Sequence, residues 1–559
     1  MRVSGYGLFR LAVIAVIALA VLAPLALVFY QSFLDAPFFQ PSAKLSLDAY
    51  DFVASDGDFW EAFGNSVMLA AGMTAIAVPL GAVLAFLMVR TDLPGRAILE
   101  PLLLVPIFIS AIVLSFGYVV ALGPVGVLSI AAKDAFGFVP WNLYSFPSLI
   151  AIAGLMHVPH VYLYTAAALR GVGADVEEAA RVIGAAPWKI AFTVSLPLVT
   201  PAILFGGVLV FFLGFELFGL PLVLGDPQGL LVLSTYLYKL TNKLGVPSYQ
   251  LMAVVVVAIV AVTAPLVALQ RRLLRSANRY IAMRGKGARS DLMRLGGWRW
   301  PALAIVLAWF AVTVAIPLFG IALRSVVTSW GEGVRLSEVL TLAHYRDLWD
   351  YPNVVRGIVN TVGIGVIGGA AAVACYTLLA LVVHRWQSGW TRLVDYIVMA
   401  PRAMPGLVAG LAMLWLFLFI RPLNPLRATM VSVWLAYTVV WFAYGMRLVS
   451  GTLLQVAPEL EEAARVAGAT PGRIQRDVTV PLVRYGVLAS WLLVFLIFAR
   501  EYSTGIYLLA PGTEVIGSLL VSLWGTGAID MVSALSVINV LIIGLGLAVA
   551  MRLGVRLHA

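Results

Sequence analysis

Twelve runs of apolar residues, each long enough to cross a bilayer as a helix, constrain this chain more than any other feature of its sequence. They fall near 9–30, 65–89, 97–122, 147–168, 200–224 and 249–269, and again near 301–324, 359–383, 394–419, 428–448, 485–508 and 533–551. At 1.5 Å per residue, about 20 residues span the roughly 30 Å of hydrocarbon. No water is available there, so the backbone must satisfy its own polar groups, and such runs fold as helices. Composition agrees: only 11% of the residues are charged, against about 25% in soluble domains, which leaves too few to cover a water-facing surface. The net charge of +10 would also suit nucleic acid. Basic residues collect in the cytoplasmic loops of membrane proteins, however, and no nucleic-acid partner is expected. A single cysteine, Cys375, excludes an internal disulfide and a cysteine-rich metal site.

Arg2 and Arg10 precede the first run, which is too long for the core of a cleaved signal peptide and reads as a retained span. Between the sixth and seventh runs, segment 271–299 holds Arg271, Arg272, Arg275, Arg279, Arg284, Lys286, Arg289, Arg294 and Arg299 against one acid, Asp291. A short basic loop of this kind stays in the cytoplasm. Six spans before it place the N-terminus inside. Arg90–Arg96, His384–Arg392 and the C-terminal Arg552 and Arg556 then also fall inside, while the acidic segment 31–60 falls outside. The expectation is an all-α, multi-pass protein of a bacterial inner membrane with twelve helices and both termini cytoplasmic. Its first half is 1–270, its linker 271–299 and its second half 300–559, the halves related by a pseudo-two-fold along the membrane normal.

An internal repeat supports the division. GADVEEAARVIGAAPWKIAFTVSLPLV at 173–199 matches APELEEAARVAGATPGRIQRDVTVPLV at 457–483. Asn65-Ser-Val and Asn360-Thr-Val give a weaker echo at the head of the second span of each half. Both long copies follow the fourth span of their half, so both face the cytoplasm. In the first, Asp175 and Glu178 form a helix-start signal of the capping-box type; in the second, Pro458 suits the first helical position. Gly184 and Gly468, with Pro187 and Pro471 three residues on, end the short helix, because glycine accepts the left-handed cap and proline cannot continue it. Each loop therefore reads as helix–turn–helix, with Ala179-Ala180 and Ala463-Ala464 giving a small surface open to another protein. An ordinary interfacial helix would explain one such loop. It does not explain two at matched positions.

These residues resemble the signature of the binding-protein-dependent ABC importer permeases of the type I fold: Glu-Ala-Ala, then Gly, then an aliphatic residue and Leu-Pro. It reads Glu178-Ala179-Ala180, Gly184, Val194 and Leu196-Pro197, and then Glu462-Ala463-Ala464, Gly468, Val478 and Val480-Pro481, where valine replaces leucine. The resemblance covers essentially the whole chain as two fused halves. It implies that each loop is a coupling helix seated in one of two copies of a separate ATPase subunit, and that a periplasmic substrate-binding protein docks outside. It also implies that one copy of this chain serves each transporter. The chain has no GxxxxGK[ST] phosphate loop, so ATP and Mg²⁺ are expected on the partners. No cofactor, metal site or catalytic group is assigned to this chain.

Charged residues inside spans are costly and mark candidate functional sites. Glu216 lies in the fifth run and Arg500 and Glu501 in the eleventh, the runs that line the path in the family this chain resembles. An alternative reading makes them a structural charge network. Gly219, Pro221 and Gly225 predict a helix interruption after Glu216. His157 and His160 share one helical face, with Pro159 expected to weaken the helix between them. They are further path candidates, with a cross-helix hydrogen-bonding role as the alternative. FELFGLPLVLGDPQG and FAREYSTGIYLLAPGTEV resemble the fused ferric-iron permeases, which makes ferric iron the expected cargo. Phosphonate, thiamine, polyamine or another small organic solute remains open. A two-repeat secondary carrier would not need the paired loops, and a membrane enzyme would need clustered catalytic side chains.

Overall fold

The computed structural model describes residues 5–171, 175–242, 248–281, 292–385 and 390–554. Among the described residues the chain is all-α apart from three isolated β-bridges. Among the described residues nine helices are long and apolar enough to cross a membrane, and counting each of three bent pairs as one span gives twelve.

Several spans differ from the runs that announced them. The third divides into Arg96–Phe108 and Ala111–Leu122, with Ile109 and Ser110 extended between them. Pro101 and Pro106 remove two ladder donors just before the break. The ninth divides into Trp390–Met399, a 3₁₀ turn Ala400–Ala403 and Gly406–Phe419, bent by 109° where Pro401 and Pro405 interrupt it. The tenth bends by 64° at Trp441, between Met430–Val440 and Phe442–Leu453. The sixth helix, Tyr249–Ile281, runs well past the boundary expected at 271. Arginines tolerate the C-terminal end of a helix that has left the hydrocarbon, because the helix dipole favours cations there. The fourth helix, Phe146–Gly171, continues through Pro159, which removes one backbone donor without interrupting it.

The same devices recur in both halves. At the start of each half, an antiparallel bridge (Leu34 with Leu45, Val327 with Leu340) closes a loop after the first span. A serine–tyrosine hydroxyl contact ties each loop, Ser32 to Tyr50 and Ser325 to Tyr345, both at 2.8 Å. Asn65 donates to the Leu231 carbonyl at 3.0 Å and Asn360 to that of Glu514 at 2.9 Å. The neighbouring hydroxyls, Ser66 and Thr361, accept the amides of Leu233 and Ile516, each at 2.8 Å. These amides open the short helices Leu233–Asn242 and Ile516–Gly525, whose first-turn donors need a partner from outside the helix. The sequence echo at Asn65-Ser-Val and Asn360-Thr-Val is a capping site built twice.

Each half lends its first span to the other. Gly5–Ser32 packs on Gly406–Phe419, and Val21 joins a small core with Ile397 and Val439. Reciprocally, Ile316–Arg324 packs on Ala111–Leu122. The backbones approach so closely that a Cβ at Gly117 would lie 2.3 Å from the Pro317 carbonyl oxygen, and one at Gly320 would lie 2.9 Å from Ala121 Cβ. Small residues at helix crossings serve membrane bundles this way, since packing rather than water expulsion holds them.

Candidate coupling loops and a charged cluster in the bundle

The two repeated loops fold alike. Asp175–Val182 is followed by Pro187–Ile190 and a π turn, and Pro458–Val466 by Pro471–Ile474 and a π turn. The glycine between is left-handed in both, with φ +82° at Gly184 and +84° at Gly468. Around the first, Gly184 donates to Arg181 at 2.9 Å and Ala185 to Ala180 at 3.1 Å; around the second, Gly468 donates to Arg465 and Ala469 to Ala464, both at 3.0 Å. This pair of bonds is the Schellman cap, which satisfies carbonyls that the helix end leaves free. Pro458 occupies the first helical position as expected. The side chains of Asp175 and Pro187 lie outside the described residues.

Glu178, Ala179, Glu462 and Ala463 are exposed and Ala180 and Ala464 half-buried, so both signature faces are open to a partner. The preceding acid in each copy is not. Glu177 is 2% exposed; it accepts the Ser195 hydroxyl at 2.8 Å and pairs with Arg90 Nε at 3.2 Å. Its counterpart Glu461 accepts Thr479 at 3.0 Å and His384 Nε2 at 2.9 Å, and pairs with Arg385 at 3.2 Å. Arg90 and Arg385 also donate to carbonyls at the start of their loops, Leu169 and Val456, at 2.7 and 2.8 Å. A buried carboxylate thus locks each loop to the C-terminal end of the second span of its half. Burial pushes the Glu461 carboxyl upward, but hydrogen bonds from His384, Thr479 and Arg385 outweigh it and hold the group below its ordinary value. Sequence reasoning passed over these residues. The signal lay in the repeat itself, where Glu177 and Ser195 match Glu461 and Thr479 in the same register as the signature.

Deeper in the bundle, the structure gathers all five charged and histidine candidates. The fifth-span helix Thr200–Glu216 and the eleventh-span helix Val480–Arg500 both stop at a carboxylate, short of the expected ends at 224 and 508. Beyond Glu216 the chain turns through a π segment at Pro221–Gly225, where the interruption was expected. Glu501 organises the turn beyond the second stop. Its Oε1 accepts the amides of Ser503 and Thr504 at 3.1 and 3.2 Å and their hydroxyls at 2.9 and 3.2 Å, and Oε2 accepts Trp441 Nε1 at 3.1 Å. Glu501 therefore holds the turn that follows the helix and ties it to Trp441, which favours for this residue the structural role held open above. Arg500 lies over the Trp441 ring, 5.8 Å from its centre.

His157 and His160 stack at 5.3 Å, and His157 Nδ1 bonds the Ala153 carbonyl at 2.7 Å. Their hydrogen bond runs within one helix rather than across two. Arg402, in the break of the ninth span, lies within electrostatic reach of Glu216 and His160. It was missed, although an arginine inside an apolar run is the signal that singled out Arg500. The Tyr502 hydroxyl accepts the Gly219 amide at 2.9 Å and ties the two breaks together. Among the described residues no group of three or more His, Cys, Asp or Glu is arranged to hold a metal.

The fold defines a multi-pass, all-α membrane protein built on a doubled plan. A family model described as "Binding-protein-dependent transport system inner membrane component" matches residues 77–279 and 376–559. The chain belongs to this family, the inner-membrane permeases of binding-protein-dependent ABC importers. It is similar to the molybdenum transport system permease protein ModB of Escherichia coli K12, at 32% identity over 152 residues, 27% of this chain. It spans 66% of that relative's length. The ferric transport system permease protein FbpB of Actinobacillus pleuropneumoniae is 22% identical over 517 residues, covering 90% of this chain and 72% of that one. The putrescine transport system permease protein PotI of E. coli K12 is 26% identical over 180 residues, 31% of this chain and 63% of that one. Among solved structures, the inward-facing MetNI methionine ABC transporter matches 37% of this chain and 95% of its own, at 21% identity and a TM-score of 0.31. The relatives are transport permease subunits rather than enzymes. Family membership brings with it a multi-pass place in the inner membrane.

Proposed function

We propose that this chain is the channel of an importer that carries a small solute into the cytoplasm by alternating access, with ferric iron as the solute. One copy supplies both halves, 1–270 and 300–559, joined through 271–299. The termini and both repeated loops face the cytoplasm. Each loop seats in one of two ATPase copies, which hold ATP and Mg²⁺, while the binding protein delivers solute outside. Glu216, Arg500, His157 and His160 line the path, with Glu501 holding the turn after the eleventh-span helix beside it.

The observation that supports this best is the pair of loops. Each presents Glu-Ala-Ala, a left-handed glycine and a buried carboxylate lock, and each leaves apolar side chains uncovered: Val182 is 86% exposed, Ile183 83% and Val466 90%. Uncovered apolar tips on a rigid hook suit a protein groove. Ferric iron is supported by the ferric permease relative, whose match runs along 90% of this chain. The molybdenum and putrescine permease relatives favour a second reading, the same machine with another small solute. The test is reconstitution with the ATPase and binding protein and measurement of ⁵⁵Fe³⁺ uptake. Val182→Asp with Val466→Asp is expected to abolish ATPase co-purification and ATP-dependent uptake while the chain still inserts. Uptake that persists with no ATPase bound would overturn the coupling role.

A further inference from the structure

The two repeated loops differ in how they enter the span that follows. Trp188–Leu198 meets the fifth-span helix Thr200–Glu216 at 75°, whereas Pro471–Arg500 runs on as one helix in the second half. One proline accounts for the difference. Pro197 and Pro481 match, but Pro201 stands where the second half has Tyr485. Pro201 has no amide to donate to the Pro197 carbonyl, and its ring crowds both that carbonyl and the preceding residue. The break falls at Val199, where φ is −104° and ψ 12°. The surfaces differ as well. Trp188 and Phe192, one turn apart on a helical face, are 65% and 61% exposed, while Ile190, Ala191 and Ser195 face the protein. At the matching positions the second half exposes Gly472 and Arg476, and Arg476 pairs with the equally exposed Asp477 beside it. One strip is aromatic and its twin is ionic.

We infer that Trp188–Leu198 lies in the cytoplasmic interface of the bilayer, with Trp188 and Phe192 set among lipid headgroups and upper acyl chains, so that the first loop is anchored to the membrane and the second is not. The inference takes from the reading above the cytoplasmic side of the loops and the paired ATPase copies. A helix at 75° to a membrane span runs close to the membrane plane, and an exposed aromatic strip on such a helix suits the headgroup level, where tryptophan is favoured. Leu198 and Leu204 stand exposed on either side of the bend, so apolar surface is present on the short helix and on the span it joins. Lys189, exposed beside Trp188, can reach lipid phosphates. The contrast between the halves argues against the ATPase as the occupant. Two copies of one ATPase offer the same groove twice, and a face that is aromatic in one loop and ionic in the other is not what a shared groove reads.

The test is spin-label accessibility in the full chain, held in nanodiscs of phosphatidylethanolamine and phosphatidylglycerol with and without the ATPase subunits. Labels go on Trp188→Cys, Phe192→Cys, Gly472→Cys and Arg476→Cys, each with Cys375→Ala, because Cys375 is the one native thiol. Labels at 188 and 192 are expected to relax with oxygen and resist a water-soluble nickel chelate before any ATPase is added, at a depth of about 5–10 Å into the headgroup and acyl boundary. Labels at 472 and 476 are expected to meet the chelate freely. Equal chelate access at all four positions would overturn the anchor. So would shielding of 188 and 192 that appears only when ATPase binds, since protein would then be the cover. Hydroxyl-radical footprinting of the unmutated chain repeats the measurement at the native Trp188, with no substitution to disturb folding. Its oxidation in nanodiscs should be slow and unchanged by ATPase, and fast oxidation, or a fall on ATPase binding, would overturn the anchor too. Failure of the unmutated chain to bind any ATPase would sink the importer reading while the depth of 188 and 192 stood as measured, so the two failures are told apart.

Discussion

Removing the Glu177 carboxylate tests the lock on the first loop most directly. Glu177 and Arg90 are held at 3.2 Å with side chains 3% and 5% exposed, and Ser195 completes the site at 2.8 Å. Glu177→Ala takes the carboxylate away from the buried Arg90 guanidinium, which keeps its bond to the Leu169 carbonyl. Breaking a buried pair from one side costs about 3–5 kcal/mol. At about 1.4 kcal/mol per factor of ten, that shifts the balance between attached and detached loop by roughly two to three orders of magnitude. Hydrogen exchange reads this opening. The amides of 190–199 should exchange about 10²–10³ times faster in Glu177→Ala than in the unmutated chain, because their protection comes from a loop that now opens locally. Replacing both partners, Arg90→Met with Glu177→Met, should recover much of the protection, since no unpaired charge is left behind. Exchange in Glu177→Ala within threefold of the unmutated rate would refute the lock, and so would a double variant as open as the single one.

Two further outcomes bear on the second loop. At Gly468 a Cβ would meet nothing within 4 Å, and φ is +84°, so Gly468→Ala pays only left-handed backbone strain, roughly 1–2 kcal/mol. Asparagine tolerates that conformation better, so Gly468→Asn should lie between the two in loop protection, and an alanine variant as protected as glycine would contradict the cap. Glu461 is held below its ordinary value of 4.5, so its contribution is present above about that pH and lost as pH falls through its folded value. Protection of 458–480 should therefore drop on acidification below pH 4.5 in the unmutated chain, and Glu461→Gln should flatten that response; an unchanged slope would remove Glu461 as its source.

How far the sequence could be read depended on what kind of physics each element obeys. Hydrophobic length located the spans, and glycine–proline chemistry located both loop caps, because these are local rules. The breaks at Ser110 and Arg402 were not located, since a run of apolar residues looks the same whether its helix is continuous or interrupted. Arg402 was legible as a charge in an apolar run. That it comes within reach of Glu216 depends on tertiary packing that no spacing encodes. The same holds for Glu177: neighbouring glutamates at 177 and 178 look equivalent, yet one is locked inside and the other faces out. Only the match of Ser195 with Thr479 in the repeat hinted at the difference.

The exchange of first spans between the halves has a mechanical corollary. A clasp in which each arm is gripped by the opposite body needs no string to stay shut. Covalent continuity is then not what keeps the assembly together, and two separately made fragments, split between Ile281 and Leu292, would be able to find each other and rebuild the whole. Motion of one body also cannot leave the other behind, because each carries a strut that belongs to its neighbour.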